Sequence, residues 1–260
     1  MDLLKRRWQE RDTMVCVGLD PDPARLPGAY ASRPGALLEF CTSIVDATAP
    51  LVCAFKPQIA YFAALGAEDE LEALIAHVHR QHPQIPVILD AKRGDIGATA
   101  RMYAAEAFER YRADAVTVNP YLGWESIEPY LAYQDRGVVV LCRTSNPDSG
   151  WLQSYPSDAP AFLRVASAVA ERDRYGNLML VAGATYVDDL RRIREAAGSV
   201  PLLVPGVGAQ GGDVPAVVHA GRDGYGRGLV INASRSVLYA SDPEAAAREL
   251  RDEIRTAAEA

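Results

Sequence analysis

The sequence predicts an α/β protein, and three observations support this class. The chain has 260 residues, a usual size for a single closed α/β barrel. Short apolar runs recur along it, and segments of helical period separate them. We therefore expect residues 1–260 to form one domain, folded as a (β/α)₈ TIM barrel.

Eight apolar runs are the candidate strands. They are short, rich in β-branched residues and without strict polar–apolar alternation, as expected of strands buried on both faces. Because helical segments separate them, they should pair in parallel through right-handed crossovers, and such units close readily into a barrel. The runs cover residues 14–19, 51–55, 87–89, 115–118, 138–141, 178–181, 202–204 and 229–231.

Five longer segments are the candidate helices, with apolar residues at helical spacing. Asp242 is expected to cap the last one, with Pro243 in its first turn. The segments cover residues 68–81, 99–111, 160–173, 188–197 and 243–258. Residues 1–12 and 21–35 are expected to pack around the ends of the barrel.

Composition and charge narrow the function classes. The net charge of −7 argues against partners such as nucleic acid or an anionic membrane, which call for an excess of basic residues. It leaves an anionic small molecule open, since backbone amides and one or two cations can bind a phosphate. No apolar stretch approaches the roughly 20 residues of a membrane span. The charged N-terminus lacks the apolar core of a signal peptide, so a cytoplasmic location is expected.

Cysteine and histidine positions give no sign of a catalytic metal. The cysteines have no metal-ligand spacing, and three lie in apolar runs where a thiol behaves as a small hydrophobic group. The histidines are expected on helix faces or near helix ends, away from the strand ends. We therefore expect no metal, no other cofactor and no histidine-based catalysis. These residues are Cys16, Cys41, Cys53, Cys142, His77, His79, His82 and His219.

Polar residues follow most of the predicted strands. In a parallel barrel the carboxyl ends of the strands form one rim, so these residues should converge on one pocket. At the third strand, Asp90 and Lys92 are two residues apart, so their side chains should point to the same side, where burial requires them to pair. Gly94 allows a turn, after which Asp95 could begin a helix with Thr99 on the same face.

A glycine-rich segment, PGVGAQGG, follows the seventh strand at residues 205–212. Loops after strands seven and eight are a common phosphate site in such barrels, and glycines allow close approach of the backbone. Arg235 after the eighth strand can bind phosphate through two hydrogen bonds, and Gln210 can close over it. The segment has neither the ending of a Walker A motif nor the position of a Rossmann fingerprint.

The string DAKRGDIGAT, from Asp90 to Thr99, resembles the signature of orotidine 5′-phosphate decarboxylases, D-x-K-x-x-D followed by I-x-x-T. Related phosphosugar enzymes share the D-x-K-x-x-D core, whereas the fuller string with Lys56 and Arg235 in the same chain order is far more specific. The chain length and the FKPQ and NASR elements resemble the longer-chain bacterial subgroup. Other matching segments are residues 18–20, 55–57, 205–208 and 234–236.

The resemblance implies a cofactor-free conversion of orotidine monophosphate to UMP and CO₂, the last step of de novo UMP biosynthesis. It also implies a catalytic tetrad of Lys56, Asp90, Lys92 and Asp95, in which Lys92 is the general acid that protonates C6 of the pyrimidine. Loss of CO₂ leaves a carbanion with no ring carbonyl placed to delocalise it, so a fixed ammonium supplies both the field and the proton. Flanking carboxylates keep that ammonium charged.

The same resemblance implies the substrate contacts. Asp20 and Lys56 would bind the ribose hydroxyls, and Ser145 would bind the pyrimidine. The implied phosphate contacts are Gly208, Gln210, Gly211 and Arg235. Three further residues would reach from one subunit into the partner's site, which implies a homodimer with shared active sites. These are Asp95, Ile96 and Thr99.

The residues alone leave purely structural roles open for several of the residues named above. Asp90 and Lys92 could be an ion pair that only stabilises a strand end. Asp95 could be a helix N-cap. Asp20 and Ser145 could be turn residues, since a proline follows each of them closely.

Functional alternatives are open as well. A phosphosugar decarboxylase or a hexulose-phosphate synthase of the same superfamily is the first, although those enzymes need a divalent metal and carry an acidic residue where this chain has Lys56. A non-catalytic barrel that binds nucleotides is the second. The chain also has Ala233, Ser234 and Arg235 where many orotidine 5′-phosphate decarboxylases have Gly-Arg, and Asn119 has no assigned role.

Overall fold

The strands of the chain form a barrel. A computed structural model describes residues 1–30, 33, 35–207 and 212–260. The strands are β1 (Val15–Leu19), β2 (Ala54–Pro57), β3 (Ile88–Arg93), β4 (Ala115–Val118), β5 (Gly137–Arg143), β6 (Leu178–Ala182), β7 (Leu202–Pro205) and β8 (Leu229–Ala233). They pair in parallel in the order β2-β1-β8-β7-β6-β5-β4-β3. Isolated bridges from Phe55 to Val87 and from Gln58 to Asp90 join β2 to β3. The predicted TIM barrel is therefore confirmed.

Helices surround the barrel and connect its strands. Those in the described residues are α1 (Asp2–Arg11), α2 (Ala36–Thr48), α3 (Ile59–Ala63), α4 (Glu68–Gln81), α5 (Gly97–Ala105), α6 (Glu128–Leu131), α7 (Gly150–Gln153), α8 (Ala161–Arg172), α9 (Val187–Ala197), α10 (Val214–Gly221), α11 (Arg235–Leu238) and α12 (Pro243–Glu259). Asp242 caps α12 as predicted, because its carboxylate accepts from the amide of Ala245 across 2.9 Å. Over the same residues, no helix combines the length and the apolar character that crossing a membrane requires.

Two predicted strands differ most from the structure in their bounds. The second was predicted at 51–55, but Leu51 ends a 3₁₀ turn and the strand itself begins at Ala54. Leu51 is buried in the core, so its apolar character reflects packing and not strand pairing. The third strand continues past the predicted end at residue 89 to Arg93. Its charged residues therefore belong to the strand, where a purely apolar criterion could not include them.

Among the helices of eight or more residues, α1, α2 and α10 had no counterpart in the sequence prediction, and the short helices α3, α6, α7 and α11 had none either. The segment of α10, VPAVVHAG, is almost wholly apolar, and periodicity cannot distinguish a buried helix from a strand in such a run. The predicted helix at 99–111 is α5, which passes into a π-helical turn at Glu106–Arg110. Segment 1–12 contains α1, which packs on the barrel through the buried side chains of Leu4 and Trp8.

The four cysteines are buried and free, as the sequence predicted. Burial raises the pKa of Cys16 to about 12 and moves those of the other three thiols in the same direction. The thiols therefore stay protonated near neutral pH and act as small core side chains.

Candidate active site

Three charged side chains meet where β2 and β3 end. The Nζ atom of Lys56 lies 2.9 Å from Oδ2 of Asp90, and the Nζ atom of Lys92 lies 2.6 Å from Oδ1 of the same carboxylate. The side chains of Lys56 and Asp90 are only 5% and 10% exposed, whereas that of Lys92 is 45% exposed. Asp90 thus joins a buried ammonium group to one that faces the open end of the barrel.

The electrostatics of this cluster follow from its burial and pairing. Burial alone would lower the pKa of Lys56, but the charge of Asp90, assisted by that of Asp20, raises this pKa above its ordinary value. Burial likewise opposes ionisation of Asp90, yet the ammonium groups of Lys56 and Lys92 hold its pKa well below the usual range. The buried pair of Lys56 and Asp90 is therefore charged across the neutral pH range.

Thr117 on β4 organises the end of β3. Its hydroxyl donates to Oδ1 of Asp90 across 2.9 Å and accepts from the backbone amides of Ala91 and Lys92, each also at 2.9 Å. A threonine hydroxyl has one donor and two acceptor positions, so this arrangement uses all of them. Thr117 was not among the predicted site residues, since a threonine in a β-branched strand is an ordinary core residue.

Lys92 lies at an irregularity in the backbone of β3. The register between β3 and β4 shifts between Leu89 and Arg93, and Lys92 has a φ of 47°, in the left-handed region. The predicted meeting of Asp90 and Lys92 occurs, but this bulge, and not regular strand alternation, brings them together. A lysine in that conformation costs about 1–3 kcal/mol, which the contacts around it must offset.

Asp95, Ile96 and Thr99 lie apart from the three charged groups. The carboxylate of Asp95 accepts from the amide of Ile96 across 2.8 Å, and no hydrogen bond or ion pair joins it to the cluster within the described residues. Asp95 is not the N-cap of α5, because the helix begins at Gly97 and Ile96 occupies the cap position. Ile96 and Thr99 are exposed.

Two buried oxygen atoms near the carboxyl ends of β1 and β8 lack a hydrogen-bond partner among the described residues. They are Oδ1 of Asp20, directly after β1, and Oδ1 of Asn232, on β8. A buried polar atom without a partner is costly, so such positions often indicate where a ligand binds. Asp20 was predicted from its place after the first strand. Asn232 was missed, although it belongs to the NASR element that was singled out.

Ser145 lies in the loop after β5, and neighbouring residues hold this loop in place. Arg143 is buried, pairs with Asp189 at 2.8 Å and hydrogen-bonds Ser149 of the same loop. Gly183, after β6, has no room for a side chain, because a Cβ there would lie 2.8 Å from the backbone nitrogen and Cα of Ser145. Arg143 and Gly183 therefore fix the backbone of Ser145 at the end of β5.

The structure describes only some of the residues predicted to bind the phosphate. Arg235 is the first residue of α11 and is exposed, and Val207 and Gly212 pair across the base of the glycine-rich loop. The remaining residues predicted for this loop lie outside the described part of the chain. They are Gly208, Gln210 and Gly211.

Asn119 has a local structural role. Its side chain accepts from the amide of Tyr121 across 3.0 Å and so caps the 3₁₀ turn that follows β4.

Comparisons with known proteins agree with this fold. A model of the family described as Orotidine 5′-phosphate decarboxylase / HUMPS family matches residues 13–250. The chain belongs to this family. It is 58% identical over 263 residues to the orotidine 5′-phosphate decarboxylase of Azoarcus sp. (strain BH72), covering 98% of this chain and 97% of the relative. The same identity holds over 262 residues for the Dechloromonas aromatica (strain RCB) enzyme of that name, covering 99% and 97%.

A solved structure supports the orotidine 5′-phosphate decarboxylase fold over the whole chain. The OMP decarboxylase of Leishmania donovani superposes with a TM-score of 0.90 at 39% identity, covering 100% of this chain and 98% of that one. The resemblance found in the sequence, from Asp90 to Thr99 and beyond, is thereby confirmed as membership of this family.

Proposed function

We propose that the chain converts orotidine 5′-phosphate to UMP and CO₂, as the last step of de novo UMP biosynthesis and without a metal or other cofactor. Relatives that are 58% identical over nearly their full length carry the name of this activity, which supports the reaction. The observation that carries the mechanism is the contact of Lys92 and Lys56 with one carboxylate of Asp90 at the rim.

Lys92 acts as the general acid in this proposal. As the bond between C6 and the carboxylate breaks, CO₂ leaves and the electron pair stays on C6. The ammonium of Lys92 stabilises this charge and then gives C6 its proton. Of the two lysines, Lys92 has the more exposed side chain, at 45% against 5% for Lys56. Asp90 holds the amine in place, and Lys56 fixes Asp90 from the buried side.

The residues at the carboxyl ends of the strands are assigned to the parts of the substrate as follows. We assign Asp20 and Lys56 to the ribose hydroxyls and Ser145 to the pyrimidine. The free Oδ1 of Asp20 supports the first assignment, because a ribose hydroxyl would supply its missing partner. Arg235, together with Gly208, Gln210 and Gly211, is assigned to the phosphate, where strands seven and eight of such barrels commonly bind it.

A homodimer completes the site in this proposal. Asp95 lies outside the charged cluster of its own chain, which suits a carboxylate that serves the partner's site. The adjoining surface supports such an interface, since Ile96 and Met102 are 53% and 69% exposed. Large apolar side chains at this exposure favour burial against another protein surface.

A direct ultraviolet assay tests the proposed reaction. Purified protein with orotidine 5′-phosphate should show the absorbance change of decarboxylation at an equal rate with and without EDTA. A metal-dependent phosphosugar enzyme would lose its activity in EDTA and would leave this substrate unchanged. A barrel that only binds nucleotides would bind UMP without any absorbance change. The Lys92→Ala variant is the matched control for contaminating activity.

A further inference from the structure

Two histidines and one aspartate meet on the outer surface of the barrel, between α2 and α4. The Nε2 atoms of His77 and His82 each lie 2.8 Å from Oδ1 of Asp46. The two imidazole side chains are 19% and 23% exposed, and the carboxylate is 52% exposed. One potential ligand atom from each residue therefore lies in a small cluster that water can reach.

The end of α4 has the local structure that brings the two histidines together. Five residues along a regular helix correspond to a rotation of about 140° beyond a full turn, which would point the two side chains in different directions. His82 is instead the C-cap of α4, with φ −134° and ψ 57°, and this departure from helical geometry turns its ring toward that of His77. The ring centroids lie 6.3 Å apart.

The cluster is remote from the candidate active site. Asp46 is near the C-terminal end of α2, and the two histidines are near the C-terminal end of α4. In a TIM barrel these helix ends lie at the face where the strands begin, opposite the catalytic rim. At the other end of the same helix pair, Glu70 of α4 accepts from the amide of Leu38 of α2 across 2.9 Å. A contact that joins the two helices at Asp46 would therefore fix the other end of the pair formed by α2 and α4.

We propose that Asp46, His77 and His82 form a binding site for a divalent transition metal such as Zn²⁺, which stabilises the packing of α2 on α4. Imidazole nitrogen and carboxylate oxygen are ordinary zinc ligands, with bonds of about 2.0–2.2 Å. Tetrahedral geometry at that bond length separates the ligand atoms by roughly 3.4 Å. The two separations of 2.8 Å from Asp46 need to open only slightly, which the 52% exposed carboxylate allows. All three ligand atoms already lie within 4.8 Å of one another. Water supplies the fourth ligand on the open side.

A metal at this site would not be a catalytic metal, since it takes no part in the decarboxylation. Removing the metal should therefore lower thermal stability and leave the rate of decarboxylation per folded enzyme unchanged. The inference does not depend on the proposed reaction, because its primary measurement is metal binding.

Calorimetric titration of the untagged, chelator-treated protein with ZnCl₂ tests the proposal. We expect one Zn²⁺ per chain, and a rise in melting temperature on its addition. Asp46→Asn, His77→Ala and His82→Ala should each weaken the binding by about tenfold or more, since each removes one of three protein ligands. Co²⁺ should give visible bands typical of nitrogen and oxygen ligands in the wild type and lose them in His77→Ala.

His79→Ala is the matched control on the same helix. His79 also contacts a carboxylate, with Nε2 lying 3.0 Å from Oδ2 of Asp114, but no second imidazole joins that pair. This variant should bind Zn²⁺ like the wild type. The absence of saturable binding, or equal affinity in the wild type, His77→Ala and His82→Ala, would overturn the proposal.

Discussion

Thr117 and Asp90 are joined across the seam between β3 and β4 by a hydrogen bond of 2.9 Å. The same hydroxyl accepts two backbone amides of β3, one of which is that of Lys92. One side chain therefore fixes both the carboxylate that holds the amine of Lys92 and the backbone that carries this lysine. The position of Lys92 depends on a neighbouring strand as much as on its own.

Replacing Thr117 by valine tests this dependence. The shape of the side chain is retained, but Asp90 loses a donor and two amides lose their acceptor. We expect a loss in stability of about 1–3 kcal/mol for the buried groups left without partners. We also expect kcat to fall roughly tenfold to a hundredfold, because the amine is displaced. Thr117→Ser keeps the hydroxyl and should behave like the wild type. Steady-state kinetics and urea unfolding measure both effects, and wild-type kcat in the valine variant would remove Thr117 from the site.

Two substitutions of Lys92 separate the effect of its charge on turnover from the effect of its left-handed backbone conformation on stability. Lys92→Ala and Lys92→Gly should both lose nearly all turnover and still bind UMP, because the ammonium acts mainly in the transition state. The glycine variant should be more stable than the alanine variant by about 1 kcal/mol, since residue 92 is in the left-handed region. UMP titrations and denaturant unfolding provide the comparison. Equal losses of UMP affinity and turnover would argue against the proposed role.

Asp90→Asn should give a characteristic dependence of stability on pH. In the wild type the pKa of Lys56 is raised, so its stabilising effect is complete below the unfolded pKa of about 10.4 and is lost as pH rises through the folded value. In the variant Lys56 is buried without this countercharge, and burial then lowers its pKa. We expect a loss of about 3–5 kcal/mol at neutral pH that becomes smaller as pH rises toward 10.

Urea unfolding of Asp90→Asn between pH 6 and 10 measures this trend. The double variant Asp90→Asn/Lys56→Met is the control, because it removes the unpaired charge and should recover much of the lost stability. If Asp90→Asn had the same stability and the same dependence of stability on pH as the wild type, the charges of Lys56 and Asp90 would not be coupled as the structure indicates.

The barrel and much of its rim could be predicted from the sequence, for identifiable reasons. Charged residues such as Asp90 and Lys56 stand out in or beside apolar strands, where burial is costly without a partner. Thr117 gives no such signal, and nothing in a single sequence indicates that Lys92 has a positive φ. The contact of Asp46 with His82 depends on how two helices pack, which local patterns do not specify.

Mixed dimers test whether Asp95 serves the partner's site. Lys92→Ala and Asp95→Ala should each be nearly inactive alone. If the sites are shared, a dimer of one chain of each has one site with both substitutions and one with neither. Random exchange of equal amounts would then restore about a quarter of the wild-type activity. Mixing Lys92→Ala with Asp90→Asn should restore none, because those two residues belong to the same site of one chain. No recovery in the first mixture would place Asp95 in its own subunit's site.

Gly183→Ala tests the positioning of Ser145. The added methyl group would lie 2.8 Å from the backbone of Ser145, so the loop after β5 must shift. We expect kcat/KM to fall about tenfold and stability to fall by about 1–3 kcal/mol from overpacking. Gly224→Ala is the matched control, because a Cβ at that glycine has no neighbour within 4 Å. If Gly183 acts through Ser145, adding Ser145→Ala to the Gly183→Ala variant should lower kcat/KM by much less than it does in the wild type. Fully additive losses in kcat/KM would show that the two residues act independently.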